Sequence, residues 1–121
     1  MEIFGIGNDI VEISRIKEAV EKTSRFKEKV YSTREIEYLE SKAGYASHAG
    51  RFAAKEAVSK ALGTGVRGFG LKDIEILNDE LGKPYVNLLG ELAVKNETLT
   101  IYITISHSRE YATATAIAVK K

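Results

Sequence analysis

The stretch from about Ser47 to Leu62 constrains this chain more than any other. It reads as a helix whose inward stripe, Ala54, Ala57, Val58, Ala61 and Leu62, is built largely of alanine. The helix stops at Gly63-Thr64-Gly65, where glycine takes the left-handed cap conformation. A stripe of small side chains would let another backbone approach closely. At about 100° per residue, Glu56 and Lys60 project away from the stripe, and Phe52, Lys55 and Ser59 fall nearer to them than to the core.

The rest of the chain divides around that helix. Ile3 to Ile6 reads as a short strand that breaks into a turn at Gly7 and Asn8, leaving Asp9 at the strand end. A helix follows with Ile16, Ala19 and Val20 at helical spacing and Ser14 as its expected cap. Ser32 and Glu35 have the spacing of a capping box, which starts a second helix from Thr33 to about Lys42. Beyond the alanine-rich helix, Ile74 and Ile76 alternate, a turn runs from Asn78 to Pro84, and Tyr85 to Leu88 is extended. A short helix is expected at Gly90 to Lys95. Leu99, Ile101, Ile103 and Ile105 alternate with polar residues, and Ala112 to Val119 forms another strand, so His107 and Ser108 lie at a hairpin turn. Helices first and strands later predict an α+β fold, helices packed on a mainly antiparallel sheet, in one domain over residues 1–121.

Composition narrows the chemistry. The chain has no cysteine, which rules out a disulfide scaffold, thiolate-bound zinc and a cysteine nucleophile, so a metal here must sit on oxygen or histidine. No run of 18 apolar residues and no basic-then-apolar leader pattern occurs, and the expectation is a soluble, cytoplasmic protein that engages no membrane. The net charge of +1 is unevenly spread: seven basic residues against three acidic ones lie between Arg15 and Arg34. Such a patch is an ordinary solvated helix face or a dock for an acidic partner. With a near-neutral total and no aromatic-interleaved basic platform, a nucleic-acid partner is not expected.

Three segments carry the chemistry: Gly5-Ile6-Gly7-Asn8-Asp9 with Arg15-Ile16 behind it, the string from Gly50-Arg51-Phe52-Ala53-Ala54-Lys55-Glu56-Ala57 to Gly63, and Ile105-Ser106-His107-Ser108. In this order and spacing they resemble the phosphopantetheinyl transferase superfamily, most closely its short bacterial synthase group, over nearly the whole chain. Phe52 stands where many relatives have tryptophan. The resemblance implies an enzyme that moves 4'-phosphopantetheine from coenzyme A to a serine of an acyl carrier protein, with adenosine 3',5'-bisphosphate released, in fatty-acid and lipid metabolism. It implies Mg2+ held by Asp9 and Glu56, and Lys60 at the pyrophosphate. Such chemistry is mostly positioning and charge neutralisation, and Mg2+ typically takes one or two carboxylates together with substrate phosphates and water.

Arg51, Lys55, Ser106 and His107 are the further coenzyme A contacts that the resemblance implies, with Gly63, Gly65, Lys83 and Pro84 as a second tier. It also implies a homotrimer with sites between subunits, and a carrier-protein dock on Arg15, with Arg25 and Phe26 in the same basic patch. Taken singly, these residues have plainer readings. Glu56 and Lys60 stand i, i+4 and would form a helix salt bridge of about 0.3 to 0.5 kcal/mol. Asp9 would be a turn residue bonding its own backbone. No Ser-His-Asp arrangement is visible, so the base is either a held water or Glu56 itself. The rival from another class is a non-catalytic, oligomeric coenzyme A or nucleotide-binding module, which would not need the carboxylate pair.

Overall fold

The computed structural model describes residues 1–63 and 70–121. Strand β1 (Glu2–Glu12) leads into helices α1 (Ile13–Lys22), α2 (Phe26–Val30), α3 (Thr33–Glu40) and α4 (Ala46–Leu62). A single 3-10 turn (Leu71–Asp73) precedes β2 (Ile74–Asn78) and β3 (Pro84–Leu88), and α5 (Gly90–Lys95), β4 (Leu99–His107) and β5 (Tyr111–Lys120) follow. The fold is α+β, as the order of elements implies. One antiparallel sheet has the order β1-β5-β4, and β2 with β3 forms a separate antiparallel hairpin.

Helix α4 is the axis of the molecule. Its residues Ala53, Ala54, Ala57, Val58, Ala61 and Leu62 share one core with Ala114, Ala116 and Ala118 of β5, Ile74 and Ile76 of β2, and Leu92 of α5. The alternation of β5 turns every alanine from Ala112 to Ala118 inward, so helix and sheet meet through methyl groups. Burying a helix on almost all sides leaves little room for a solvated face. Lys55 and Ser59, expected on the side of Glu56 and Lys60, are instead fully enclosed on the α3 and β2 side.

Local signals held where they were short-range. Ser32 and Glu35 form both bonds of the capping box, and Gly63 closes α4 at φ 77°. Two expectations did not. Strand β1 does not end before Asp9: it runs on to Glu12 because β5 supplies pairing partners throughout, with Asp9 opposite Ala114 and Glu12 opposite Tyr111. Consequently α1 starts at Ile13 with Glu12 as its cap residue, and Ser14 lies inside the helix. The five-residue α2 was not expected from the sequence, being too short to show a period.

Candidate active site

Side chains alternate across β1, so Gly5, Gly7, Asp9 and Val11 face α4. A Cβ on Gly5 would run into the Ala61 carbonyl, and one on Gly7 into the Ala57 carbonyl, with Lys60 Cβ 2.8 Å away. Bare strand backbone therefore lies directly on bare helix backbone. Asp9, two residues beyond Gly7 on the same face, arrives next to the turn of α4 that carries Glu56 and Lys60. The Lys60 ammonium donates to the Asn8 carbonyl at 2.8 Å and to Asp9 Oδ1 at 3.3 Å.

Asp9 and Glu56 line one cleft of about 560 Å3, with Ile10, Val11 and Glu12 of β1, Phe52 of α4, Tyr111 of β5, Arg15, Ile16 and Ala19 of α1, and Phe26 of α2. Sequence-named residues from two separate expectations, the carboxylate pair and the Arg15/Phe26 patch, thus share one cavity. Arg25, the residue before α2, does not line the cleft and holds φ 64°, the left-handed region, without being glycine. Tyr111 and Ala19 were not singled out from the sequence; only the folding of β5 and α1 against β1 places them there.

The electrostatics of this cleft are unbalanced. Glu56 has its carboxyl pushed above the ordinary carboxylate range, first by loss of solvent and then by the charge of Asp9, with Lys60 acting in the opposite sense. Among the described residues no ion pair reaches Glu56, because Lys60 turns away from its own helix to β1. The i, i+4 salt bridge is therefore not formed. Asp9 and Glu56 facing one cleft, with only Asp9 paired to an ammonium, suit a hard divalent cation, and no group of three or more potential ligands exists among the described residues.

Arg51 lies elsewhere. Its guanidinium stacks on the Tyr38 ring at 4.1 Å and donates through Nη2 to Asn78 Oδ1. Asn78 in turn donates to the Gly82 carbonyl at 2.9 Å, which ties Arg51 to the turn before Lys83 and Pro84. Arg51, Tyr38, Asn78, Gly82 and Tyr85 border a second cleft of about 700 Å3, which shares no lining residue with the first. Lys83 is exposed at that turn and Pro84 opens β3. Tyr38, Asn78 and Tyr85 carried no sequence signal of this role. Ser106 and His107 are exposed at the end of β4, Ser106 on the sheet face away from α4 and His107 opposite Ala112. Gly63 is the cap of α4, and Gly65 lies outside the described residues.

Lys55 requires a correction. Expected among the coenzyme A contacts, it is 0 % exposed, and its ammonium donates to Glu35 Oε1 at 2.6 Å and to the carbonyls of Ile74 at 2.6 Å and Leu71 at 3.0 Å. All three of its donors are engaged, so none is left for a phosphate.

Fold and cleft together define a small α+β protein in which a glycine-bared strand and an alanine-rich helix bring Asp9 and Glu56 to one cavity, with Lys60 bonded to Asp9. The chain belongs to the 4'-phosphopantetheinyl transferase superfamily: residues 5–116 match the profile of that family. It is 53% identical over 120 residues to a holo-[acyl-carrier-protein] synthase of Fusobacterium nucleatum, covering 95% of this chain and 98% of the relative. A holo-[acyl-carrier-protein] synthase of Clostridium beijerinckii is 51% identical, over 95% of this chain and 96% of its own. The fold is similar to a holo-(acyl-carrier-protein) synthase of Bacillus anthracis solved in complex with CoA (3',5'-ADP), with a TM-score of 0.86, 35% identity and 100% of both chains covered.

Proposed function

We propose that this protein transfers the 4'-phosphopantetheine group from coenzyme A to a serine of an apo-acyl carrier protein, giving the holo-carrier and adenosine 3',5'-bisphosphate. The observation that carries the reading is that Asp9 and Glu56 line one cleft with Arg15 and Phe26, while the Lys60 ammonium is bonded to Asp9. In the reaction the serine oxygen forms a bond to phosphorus, the bridging bond of the pyrophosphate breaks, and the hydroxyl proton leaves to a base. Asp9 and Glu56 would hold Mg2+, which when bound neutralises the pyrophosphate oxygens. Lys60, with two of its three donors engaged, keeps one for the leaving phosphate. Glu56 receives the serine proton directly or holds the water that does.

The remaining coenzyme A contacts we assign to Arg51, Gly63, Gly65, Lys83, Pro84, Ser106 and His107. Their distribution supports a homotrimer with sites between subunits. Arg51 and the Gly82-Lys83-Pro84 turn adjoin a cleft separate from that of Asp9, and one ligand reaches both sets if they come from different copies. The sheet face away from α4 is uncovered and apolar, with Ile6 62% exposed, Ile10 64% and Tyr102 57%, as expected of a surface that meets other copies.

The carrier protein docks on Arg15, Arg25 and Phe26. Among the described residues neither arginine has an ion-pair partner within the chain, which leaves both for an acidic surface. No helix among the described residues is long and apolar enough to cross a membrane, and we place the enzyme in the cytoplasm, at the start of fatty-acid synthesis. Mass spectrometry tests the activity: apo-carrier incubated with coenzyme A, Mg2+ and this protein gains about 340 Da, with release of adenosine 3',5'-bisphosphate. No gain in mass, with coenzyme A still bound, would instead mark a binding module.

A further inference from the structure

A fully bonded buried charge lies beside the proposed reaction centre and takes no part in it. Lys55 precedes Glu56 on α4, and its three acceptors belong to three different segments: Glu35 of α3, Leu71 of the 3-10 turn and Ile74 of β2. Glu35 is equally enclosed. Its Oε1 also accepts the Ser32 amide at 2.9 Å, and its Oε2 accepts the Ile76 amide at 3.0 Å. Ser32 extends the network by donating from its hydroxyl to Glu75 Oε2 at 2.7 Å.

Against this stands the other side of α4, where the helix meets β1 and β5 through glycine and alanine. Small residues allow close approach but present shallow ridges, so they weakly resist rotation of a helix about its axis. Residues 55 and 56 are separated by about 100° around that axis. Anchoring Lys55 toward α3 and β2 therefore turns Glu56 toward β1 and Asp9.

We propose that the buried Lys55–Glu35 pair is a positioning device that sets the rotation of α4, and through it the aim of Glu56 at Asp9. Lys55 is a positioning residue, and the buried directional bonds of the pair add to the exposed Lys60 contacts with Asn8 and Asp9, which are the directional bonds on the glycine and alanine side. Leu71 and Ile74 are held by the same ammonium, so the entry into β2 is fixed at the same point.

The inference rests on the carboxylate pair proposed above, and its test uses two readouts. Lys55→Met and Glu35→Gln are compared with wild type well below their melting temperatures, with circular dichroism confirming the fold. Binding of Mn2+ in the presence of coenzyme A, followed by loss of the free-ion EPR signal, is expected to weaken at least about five-fold, and kcat to fall about ten-fold, with KM for the carrier protein unchanged. Folded variants that bind Mn2+ and turn over like wild type would show the pair to be structural only and overturn the proposal. If Lys55→Met does not fold, Glu35→Gln, which keeps the shape of the side chain and one acceptor oxygen, decides. A wild type that binds Mn2+ but transfers nothing strikes the proposed activity and leaves the Mn2+ comparison to judge the positioning role.

Discussion

Lys60 reaches Asp9 across the strand-helix contact at 3.3 Å, while Glu56, one turn earlier on the same helix, has no ion pair among the described residues. The lysine therefore links β1 to α4, and Glu56 is left for a ligand from outside the chain. This is the arrangement expected of a site that holds a cation and a phosphate together.

Replacing either carboxylate should remove activity without unfolding the protein. Asp9→Ala, Glu56→Ala and Glu56→Gln are each expected to lower kcat/KM by about 100-fold or more, with circular dichroism unchanged. Chelation of Mg2+ by EDTA should do the same to wild type and be reversed by added Mg2+. Near-wild-type turnover of any of the three at saturating Mg2+ would remove that residue from the metal site.

Glu56 should also weaken the empty enzyme. Its folded carboxyl is raised above the unfolded value by desolvation and by Asp9, so the native state binds the proton more tightly. Stability then declines as pH rises from the unfolded carboxylate value through the raised one. Glu56→Gln is thus expected to melt above wild type at pH 7, by on the order of 2 °C, with the advantage vanishing below the ordinary carboxylate range. Thermal melts at pH 4 and pH 7 without metal or coenzyme A measure it, and an equal gap at both would refute the cause.

The basic patch should act on one substrate only. Arg15→Glu or Arg25→Glu is expected to raise KM for the carrier protein several-fold and leave KM for coenzyme A unchanged. Because rim charges are screened over about 8 Å at 0.15 M salt, added salt should narrow the gap. Arg25→Gly separates charge from conformation: glycine relieves the left-handed backbone at φ 64°, so this variant should be more stable by up to about 1 kcal/mol while docking less well.

Gly7→Ala should be damaging although it adds a single methyl. The new Cβ meets the Ala57 carbonyl and lies 2.8 Å from the Ala61 nitrogen, both backbone atoms of α4. Separation of β1 from the helix is expected to destabilise by about 3 kcal/mol and, by moving Asp9 from Glu56, to reduce transfer further. Chemical denaturation gives the first value and turnover well below the melting range the second.

The uncovered sheet face should be what holds copies together. Light scattering is expected to give three times the 13.3 kDa chain mass, and Ile6→Asp, on that face and away from the cleft, to give monomers with little activity. A fully active monomer would dissociate the site from the assembly.

Short-range physics was legible in the amino-acid sequence alone. The Ser32–Glu35 capping box, the Gly63 stop, the Gly90–Lys95 helix and the strand over Ala112 to Val119 each follow from neighbours within a few residues, whose spacing carries the signal. The motifs also named Asp9, Glu56 and Lys60, although spacing by itself would have paired Glu56 with Lys60. Tertiary structure decided the rest, because the partners lie far apart in the chain. Strand β1 continues to Glu12 because β5 pairs with it, Lys60 turns to Asp9 because two glycines let β1 lie on α4, and Arg51 opens on a different cleft because Tyr38 and Asn78 hold it there. Lys55 shows the reason most plainly: a lysine is expected in water, and only the meeting of α3, the 3-10 turn and β2 at its ammonium supplies the three acceptors that satisfy its charge inside the core.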